Sequence, residues 1–92
     1  MANITVKLNV VRFTVYIDDA RITYTLVSEN LEFLGMLKAM KKVSDSYKDC
    51  LGTQIDEVHY QNYVIPIKTG ILEKDIEMYF DKKYGSDHLF YI

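Results

Sequence analysis

Apolar and polar residues alternate along the start of the chain with the two-residue period of β-strands. Two apolar sets of opposite parity follow each other: Ile4, Val6, Leu8 and Val10, and then Phe13, Val15 and Ile17. A β-bulge near Val10-Val11 would restore the facing of one long strand, and a break between two strands would give the same pattern. The pattern predicts at least one half-buried strand here.

Residues 18–21 follow as a predicted tight turn, so the flanking segments form a β-hairpin. With Asp19-Ala20 as the loop, Phe13, Val15 and Ile17 face Leu26, Tyr24 and Ile22. The opposite face of the hairpin collects one aromatic ring and several polar side chains: Arg12, Thr14, Tyr16, Thr23 and Thr25. A register slip of one residue would invert both faces, so this separation supports the hairpin.

Two later segments have the three- and four-residue spacing of amphipathic helices. Ser28 is the predicted N-cap of the first helix, whose apolar positions run from Phe33 to Leu51, and Gly52 is expected to end it. The second helix opens after Thr69-Gly70 and ends at Gly85. Its predicted buried positions are Leu72, Ile76, Tyr79 and Phe80.

Residues 55–68 are predicted to form a second hairpin around Gln61-Asn62, and residues 88–92 a short last strand. Pro66 lacks an N–H, which favours an edge strand or a position with its nitrogen on the unpaired side. The predicted order is ββαββαβ, in a single α+β domain over residues 1–92. We expect an antiparallel sheet of five or six strands with two helices on one face. Without its first strand, this is the ferredoxin-like order βαββαβ.

Composition is ordinary for a soluble globular protein, with 49% hydrophobic residues, 26% charged residues and a net charge of −2. No apolar run is long enough to span a membrane, the N-terminus alternates rather than resembling a signal peptide, and the single Cys50 excludes an internal disulfide. We therefore expect a cytoplasmic protein with no membrane association. Residues with AT-rich codons are abundant, which favours an AT-rich bacterial, phage or viral genome.

Motifs for chemistry are missing from the sequence. The four glycines are isolated, and one cysteine with two distant histidines gives no zinc-ligand spacing. Residues 63–68 lack the aromatic pair of RNA-recognition modules, and no basic, glycine-rich loop of the acylphosphatase type occurs. Cys50 falls on a core position of the first helix and is expected to be inert, and His59 and His88 are expected to be solvent-facing strand residues rather than an acid–base pair. We expect no metal, no cofactor and no enzymatic activity.

Two surfaces are candidates for binding another protein. One is the polar hairpin face, and the other is an acidic ridge on the second helix, formed by Glu73, Glu77 and Asp81. We predict a small non-enzymatic protein-binding module, of the type of a phage or viral inhibitor or accessory factor such as an anti-CRISPR or other anti-defence protein. Such a protein would act in the host cytoplasm.

Two further expectations concern other partners. The alternative function is a nucleic-acid-associated protein that uses Lys38, Lys41 and Lys42, or a nucleic-acid mimic that uses the acidic ridge; direct nucleic-acid binding is the less favoured reading. The chain is expected to be a monomer or a homodimer. A homodimer would pair through the strand at residues 4–10, because the last strand is expected inside the sheet.

Overall fold

A computed structural model of the chain describes residues 2–85 and 88–92. In this part of the chain the element order is ββαβαβ: β1 (Asn3–Ile17), β2 (Ala20–Ser28), α1 (Phe33–Asp45), β3 (Gly52–Pro66), α2 (Leu72–Tyr84) and β4 (Leu89–Tyr91). The strands form one sheet in the order β3-β1-β2-β4. β1 is antiparallel to β2 and β3, whereas β4 is parallel to β2. The sheet is therefore mixed and has four strands, and the prediction of an antiparallel sheet of five or six strands is wrong.

The first hairpin forms, but its register differs by two residues from the predicted one. Ile17 pairs with Ala20 and Val15 with Ile22, so Asp18-Asp19 is the loop. Asp19 has a φ of 55°, a left-handed conformation that aspartate tolerates better than alanine does. Because the shift is an even number of residues, every side chain keeps its predicted face.

The predicted second hairpin is absent, because β3 runs straight through Gln61-Asn62. β1 supplies a continuous partner for it, from Asn3 opposite Pro66 to Tyr16 opposite Gly52. A turn at Gln61-Asn62 would place Tyr60 and Tyr63 on the same face. In the continuous strand they point to opposite faces, and their exposed fractions are 62% and 4%.

The two helices cover opposite faces of the sheet, which corrects the prediction that both lie on one face. Leu8 and Val10 pack in one core cluster with Ile76 and Phe80 of α2. The odd-numbered residues Val11, Phe13 and Val15 pack in a second cluster on the other face, with Leu26 of β2 and Met36 of α1. We refer to the two sides as the α2 face and the α1 face. The change of parity at Val10-Val11 therefore marks a change of the covered face, and no bulge in β1 is needed.

The bulge lies in β3 instead. The register between β1 and β3 shifts between Arg12, which pairs with Glu57, and Phe13, which pairs with Ile55. Asp56 is the extra residue. On the C-terminal side of Asp56, the odd-numbered residues of β3 lie on the α2 face. On its N-terminal side, the even-numbered residues lie on that face.

Helix α1 is shorter than predicted at both ends. Ser28 Oγ accepts hydrogen bonds from the backbone N–H groups of Asn30 and Leu31, so Ser28 caps a turn that precedes the helix. The helix itself begins at Phe33 and ends at Asp45. Gly52 begins β3 rather than ending α1, and Cys50 is half-buried in the loop between them.

Helix α2 has the predicted buried face, with Ile76 and Phe80 fully buried and Leu72 and Tyr79 packed against the same cluster. A buried carboxylate fixes its start. Asp75 accepts hydrogen bonds from the Thr69 N–H (2.8 Å), the Thr69 hydroxyl (2.8 Å) and the Gly70 N–H (3.2 Å). These bonds, led by that of the Thr69 N–H, hold the pKa of Asp75 below its usual value.

We expect Asp75 to contribute to the acid sensitivity of the fold. Its pKa is lower in the folded than in the unfolded state, so its stabilisation is present above the unfolded pKa, about 3.9, and is lost as the pH falls through the folded pKa. Chemical denaturation at pH 7, 5 and 3 should show a smaller acid loss in Asp75→Asn than in the wild type. The exposed Asp49→Asn is the control and should retain the wild-type pH profile.

We also expect the two core clusters to respond independently to substitution. Ile76→Val should cost about 0.5–1.5 kcal/mol of unfolding free energy, and Val15→Ala about 1.5–2.5 kcal/mol on the basis of the methyl groups removed. Since the two side chains belong to clusters on opposite faces, the double variant should equal the sum within about 0.5 kcal/mol. A coupling above about 1 kcal/mol in urea denaturation would contradict the two-sided arrangement.

Candidate protein-binding surface

The structure brings together the five side chains predicted on the hairpin face. Arg12, Thr14 and Tyr16 of β1 lie beside Thr25, Thr23 and Arg21 of β2. We call the set Arg12, Thr14, Tyr16, Thr23 and Thr25 the polar face. It continues the α2 face of the sheet beyond the end of α2, so it does not lie opposite both helices as predicted.

The boundary between α2 and the polar face is an arginine stacked on a tyrosine. The guanidinium of Arg12 lies 4.2 Å from the ring centroid of Tyr84, the last residue of α2. The helix therefore ends where the strand residues beneath it become polar. Arg12 therefore joins the end of α2 to the polar face, because its guanidinium contacts Tyr84 and also donates to Thr25 and Glu57.

The β3 bulge supplies the acidic partners of the polar face. Because Asp56 is the extra residue, Asp56 and Glu57 both reach the α2 side of the sheet. The Thr14 hydroxyl donates to Asp56 Oδ2 (2.6 Å), and Arg12 Nη1 donates to Glu57 Oε2 (3.0 Å). Sequence analysis missed both acids because it assigned residues 55–68 to a separate hairpin. The signal was the pair Asp56-Glu57, which interrupts the alternation of β3.

A hydrogen-bond network links the remaining members. Arg12 Nε donates to Thr25 Oγ1 (3.1 Å), and the hydroxyls of Thr14 and Thr23 share a hydrogen bond of 3.1 Å. Tyr16 donates to Gln54 Oε1 (3.0 Å). Thr14 and Thr25 are buried, whereas Thr23 is exposed and Tyr16 half-buried. The inner threonines therefore serve the fold, and Tyr16 and Thr23 are the members that a partner can reach.

The carboxylate of Glu57 is held in its ionised form. His59 Nε2 lies 3.1 Å from Glu57 Oε1, and Arg12 donates to the other oxygen. These two hydrogen bonds, that of His59 first, lower the pKa of Glu57. His59 does not meet His88, whose ring lies 4.8 Å from the Tyr24 ring in the α1 cluster on the other side of the sheet. The structure therefore does not bring the two histidines together.

Tyr63 borders the polar face from within the α2 cluster. Its hydroxyl is buried and has no hydrogen-bond partner among residues 2–85 and 88–92. Burial first, and then the neighbouring Tyr84, Tyr79 and Glu57, raise the pKa of Tyr63 to about 12. The phenol is therefore neutral at physiological pH and contributes packing rather than charge.

The acidic ridge is exposed along α2, as predicted for Glu73, Glu77 and Asp81. β4 lies beside it, and the Tyr91 hydroxyl of β4 donates to Glu29, the residue that follows β2. Burial, and then Glu29, Glu73 and Glu77, raise the pKa of Tyr91. Asp81 precedes Tyr84 by one helical turn, so the ridge ends next to the polar face.

The three lysines of α1 do not converge on one anion site. Lys41 pairs with Asp45 across one helical turn at 3.0 Å. Lys38 and Lys42 line a groove of about 520 Å³ between α1 and β4, whose other residues are mainly apolar, among them Leu26, Leu31, Val43, Phe90 and Ile92.

The comparisons with known proteins give no relative from which a function could be transferred. In the described ranges 2–85 and 88–92, no cluster of three or more metal-ligating side chains occurs, and no helix has the length and apolar character needed to cross a membrane. The chain matches no protein-family model, no curated protein and no solved structure. The geometry of the polar face therefore has to carry the functional argument.

We expect Arg12→Lys to destabilise the fold by about 1–2 kcal/mol. Lysine keeps the charge, but it loses the two hydrogen bonds of the guanidinium to Thr25 and Glu57 and the stacking on Tyr84. The chain offers a matched control in Arg21→Lys, since Arg21 is the exposed neighbour of Tyr16. That variant should stay within about 0.5 kcal/mol of the wild type in urea denaturation. Equal losses in the two variants would show that the polar face is not held by Arg12.

Proposed function

We propose that this chain is a small non-enzymatic protein-binding module that contacts its partner through the polar face. The observation that carries the proposal is the hydrogen-bond network that fixes Arg12, Thr14 and Tyr16 against Asp56, Glu57 and Gln54. Side chains fixed before binding lose little conformational entropy when a partner docks. The surface is therefore pre-organised for recognition.

The chemistry of the face suits a protein better than a nucleic acid. It presents a tyrosine ring, exposed hydroxyls and charges of both signs within one sheet surface. Tyrosine and arginine are the side chains most often found at the energetic centre of protein interfaces. Asp56 and Glu57 would repel a phosphate backbone.

The proposal includes the absence of enzymatic activity, and the same hydrogen-bond network supports it. The ionisable groups in and beside the polar face pair with one another, since Arg12 and His59 both contact Glu57. Catalysis requires a reactive group oriented toward a substrate site. The narrower prediction of a phage or viral inhibitor rests on a compact single domain, AT-rich coding, the lack of catalytic motifs and the Thr/Tyr sheet face, and it stays a prediction.

The acidic ridge favours one second candidate, a nucleic-acid mimic. Glu73, Glu77 and Asp81 are spaced by four residues on one exposed side of α2, and Glu29 adds to the same negative region beside Tyr91. A partner that recognises this ridge in place of phosphate would bind through charge. Its affinity would fall steeply with salt, whereas affinity at a Tyr16-centred interface would change little.

Site-specific photo-crosslinking in the source cell tests the proposal. A benzoylphenylalanine at position 16 should form an adduct with a distinct protein. The same residue at position 34 should not, although Leu34 is 62% exposed on the α1 side. With the captured protein purified, Tyr16→Ala should weaken binding at least about 10-fold, as expected for an aromatic side chain at the centre of an interface. Adducts at position 34 but not 16 would refute the polar face as the contact surface.

A further inference from the structure

We propose that two copies of this chain pair edge to edge through β3 and form one continuous eight-stranded sheet. β3 is an edge strand, and its outer side has no strand partner among the residues that the structure describes. The strand at residues 4–10, which the sequence predicts as the dimer edge, is paired to β3 on one side along its whole length, and only its first part is open on the other side. The proposal goes beyond the polar face, because a different edge and a different partner are involved.

The hydrogen-bond pattern shows which backbone groups of β3 are free. Ile67 N donates to Ala2 O, in the register that also pairs Ile65 with Ile4. In an antiparallel ladder, residues bonded to the neighbouring strand alternate with residues that point away from it. The odd-numbered residues from 59 to 65 therefore bond to β1. The outward-facing N–H and C=O groups belong to Val58, Tyr60, Asn62 and Val64.

Two features limit the usable edge, and they are symmetric about Gln61. Pro66 has no N–H to offer on the outer side, and Asp56 is the bulge residue that breaks the regular ladder. Each lies five residues from Gln61. A two-fold axis at Gln61 therefore places the proline of one copy opposite the bulge of the other.

This register uses every outward-facing residue between the two limits. Val58 pairs with the partner's Val64 and Tyr60 with the partner's Asn62, and each pair is repeated by the symmetry. An antiparallel pair centred on residue 60 or 62 would instead bring the bulge or the proline into the ladder. The self-pairing that the strand permits is thus the one centred on Gln61.

The side chains at this edge also lack the usual protection against pairing. Val58, Tyr60 and Val64 lie on the α1 side, and their exposed fractions are 46%, 62% and 56%. The stretch 58–65 contains no Lys, Arg, Asp or Glu, although natural edge strands commonly carry such charges. Lys7 reaches the margin of this surface, where its ammonium lies 4.7 Å from the Tyr60 ring.

The other open edges are shorter than that of β3. β4 has three residues. Among the residues that the structure describes, β1 lacks a strand partner on the side of β2 only over Asn3–Leu8, a stretch that contains Lys7. A second copy is favoured over a foreign strand because the two limits of β3 match each other. An edge-to-edge contact buries less than the roughly 1,600 Å² of a standard interface, so the dimer should depend on concentration.

Charge substitutions at Gln61 test the axis directly. In the proposed dimer the two Gln61 residues face each other as a non-hydrogen-bonded pair, with Cα atoms about 4.5 Å apart. Analytical ultracentrifugation of the wild type should show a mass rising from 10.8 kDa toward twice that value with concentration. Gln61→Lys and Gln61→Glu should each remain monomeric, and their equimolar mixture should dimerise again. Asn62→Lys, which does not face itself, should dimerise better than Gln61→Lys.

Cysteine crosslinking tests the register by a second route, in a Cys50→Ser background. Gln61→Cys should form an intermolecular disulfide under mild oxidation, because the expected Cα separation lies in the range of about 4.4–6.8 Å that disulfides allow. Asn62→Cys should not, since this residue is exposed and its counterpart across the axis is the partner's Tyr60. A wild type that stays monomeric up to millimolar concentration would overturn the proposal. So would a dimer that survives Gln61→Lys but is lost in Thr5→Pro, which would place the contact at β1.

Discussion

The burial of two consecutive residues, Val10 and Val11, is the constraint on which the rest of this structure depends. Neighbouring residues in a strand point to opposite faces, so a strand that buries both must be covered on both sides. Helix α2 covers the side of Val10 and helix α1 covers the side of Val11. β1 also lies centrally within the sheet, between β2 and β3.

Each helix covers only one half of its face, and this leaves two bare areas at diagonally opposite positions. On the α2 side, the area beyond Tyr84 is the polar face, where the bulge at Asp56 brings two carboxylates to Arg12 and Thr14. On the α1 side, the bare area carries Tyr60 and Val64 next to the free edge of β3. In the polar face, the polar side chains form hydrogen bonds with one another and with their neighbours. The area around Tyr60 and Val64 is apolar and borders the outer edge of β3, which has no strand partner among the described residues.

The alternation of apolar residues was sufficient to predict the local elements and the membership of the polar face. It predicted β1, the first hairpin and the buried side of α2, because these depend on short-range periodicity. It could not show which face is covered, since the parity change at Val10 has the same appearance as a bulge. The failure at residues 55–68 has a related cause: Gln61-Asn62 is compatible with a turn, and only the long free side of β1 makes the straight strand preferable. The partners Asp56, Glu57 and His59 were missed with it.

The pairing of β1 with β3 has a consequence for the order in which the chain folds. Asn3 and Pro66 are ladder partners although 62 residues separate them, whereas β1 and β2 join through the two-residue loop Asp18-Asp19. Contacts between distant residues form slowly, because a long loop must be closed before they contribute. During synthesis, the first hairpin can form as soon as it emerges. The first strand then has to remain without its second neighbour until Gly52–Pro66 has been made.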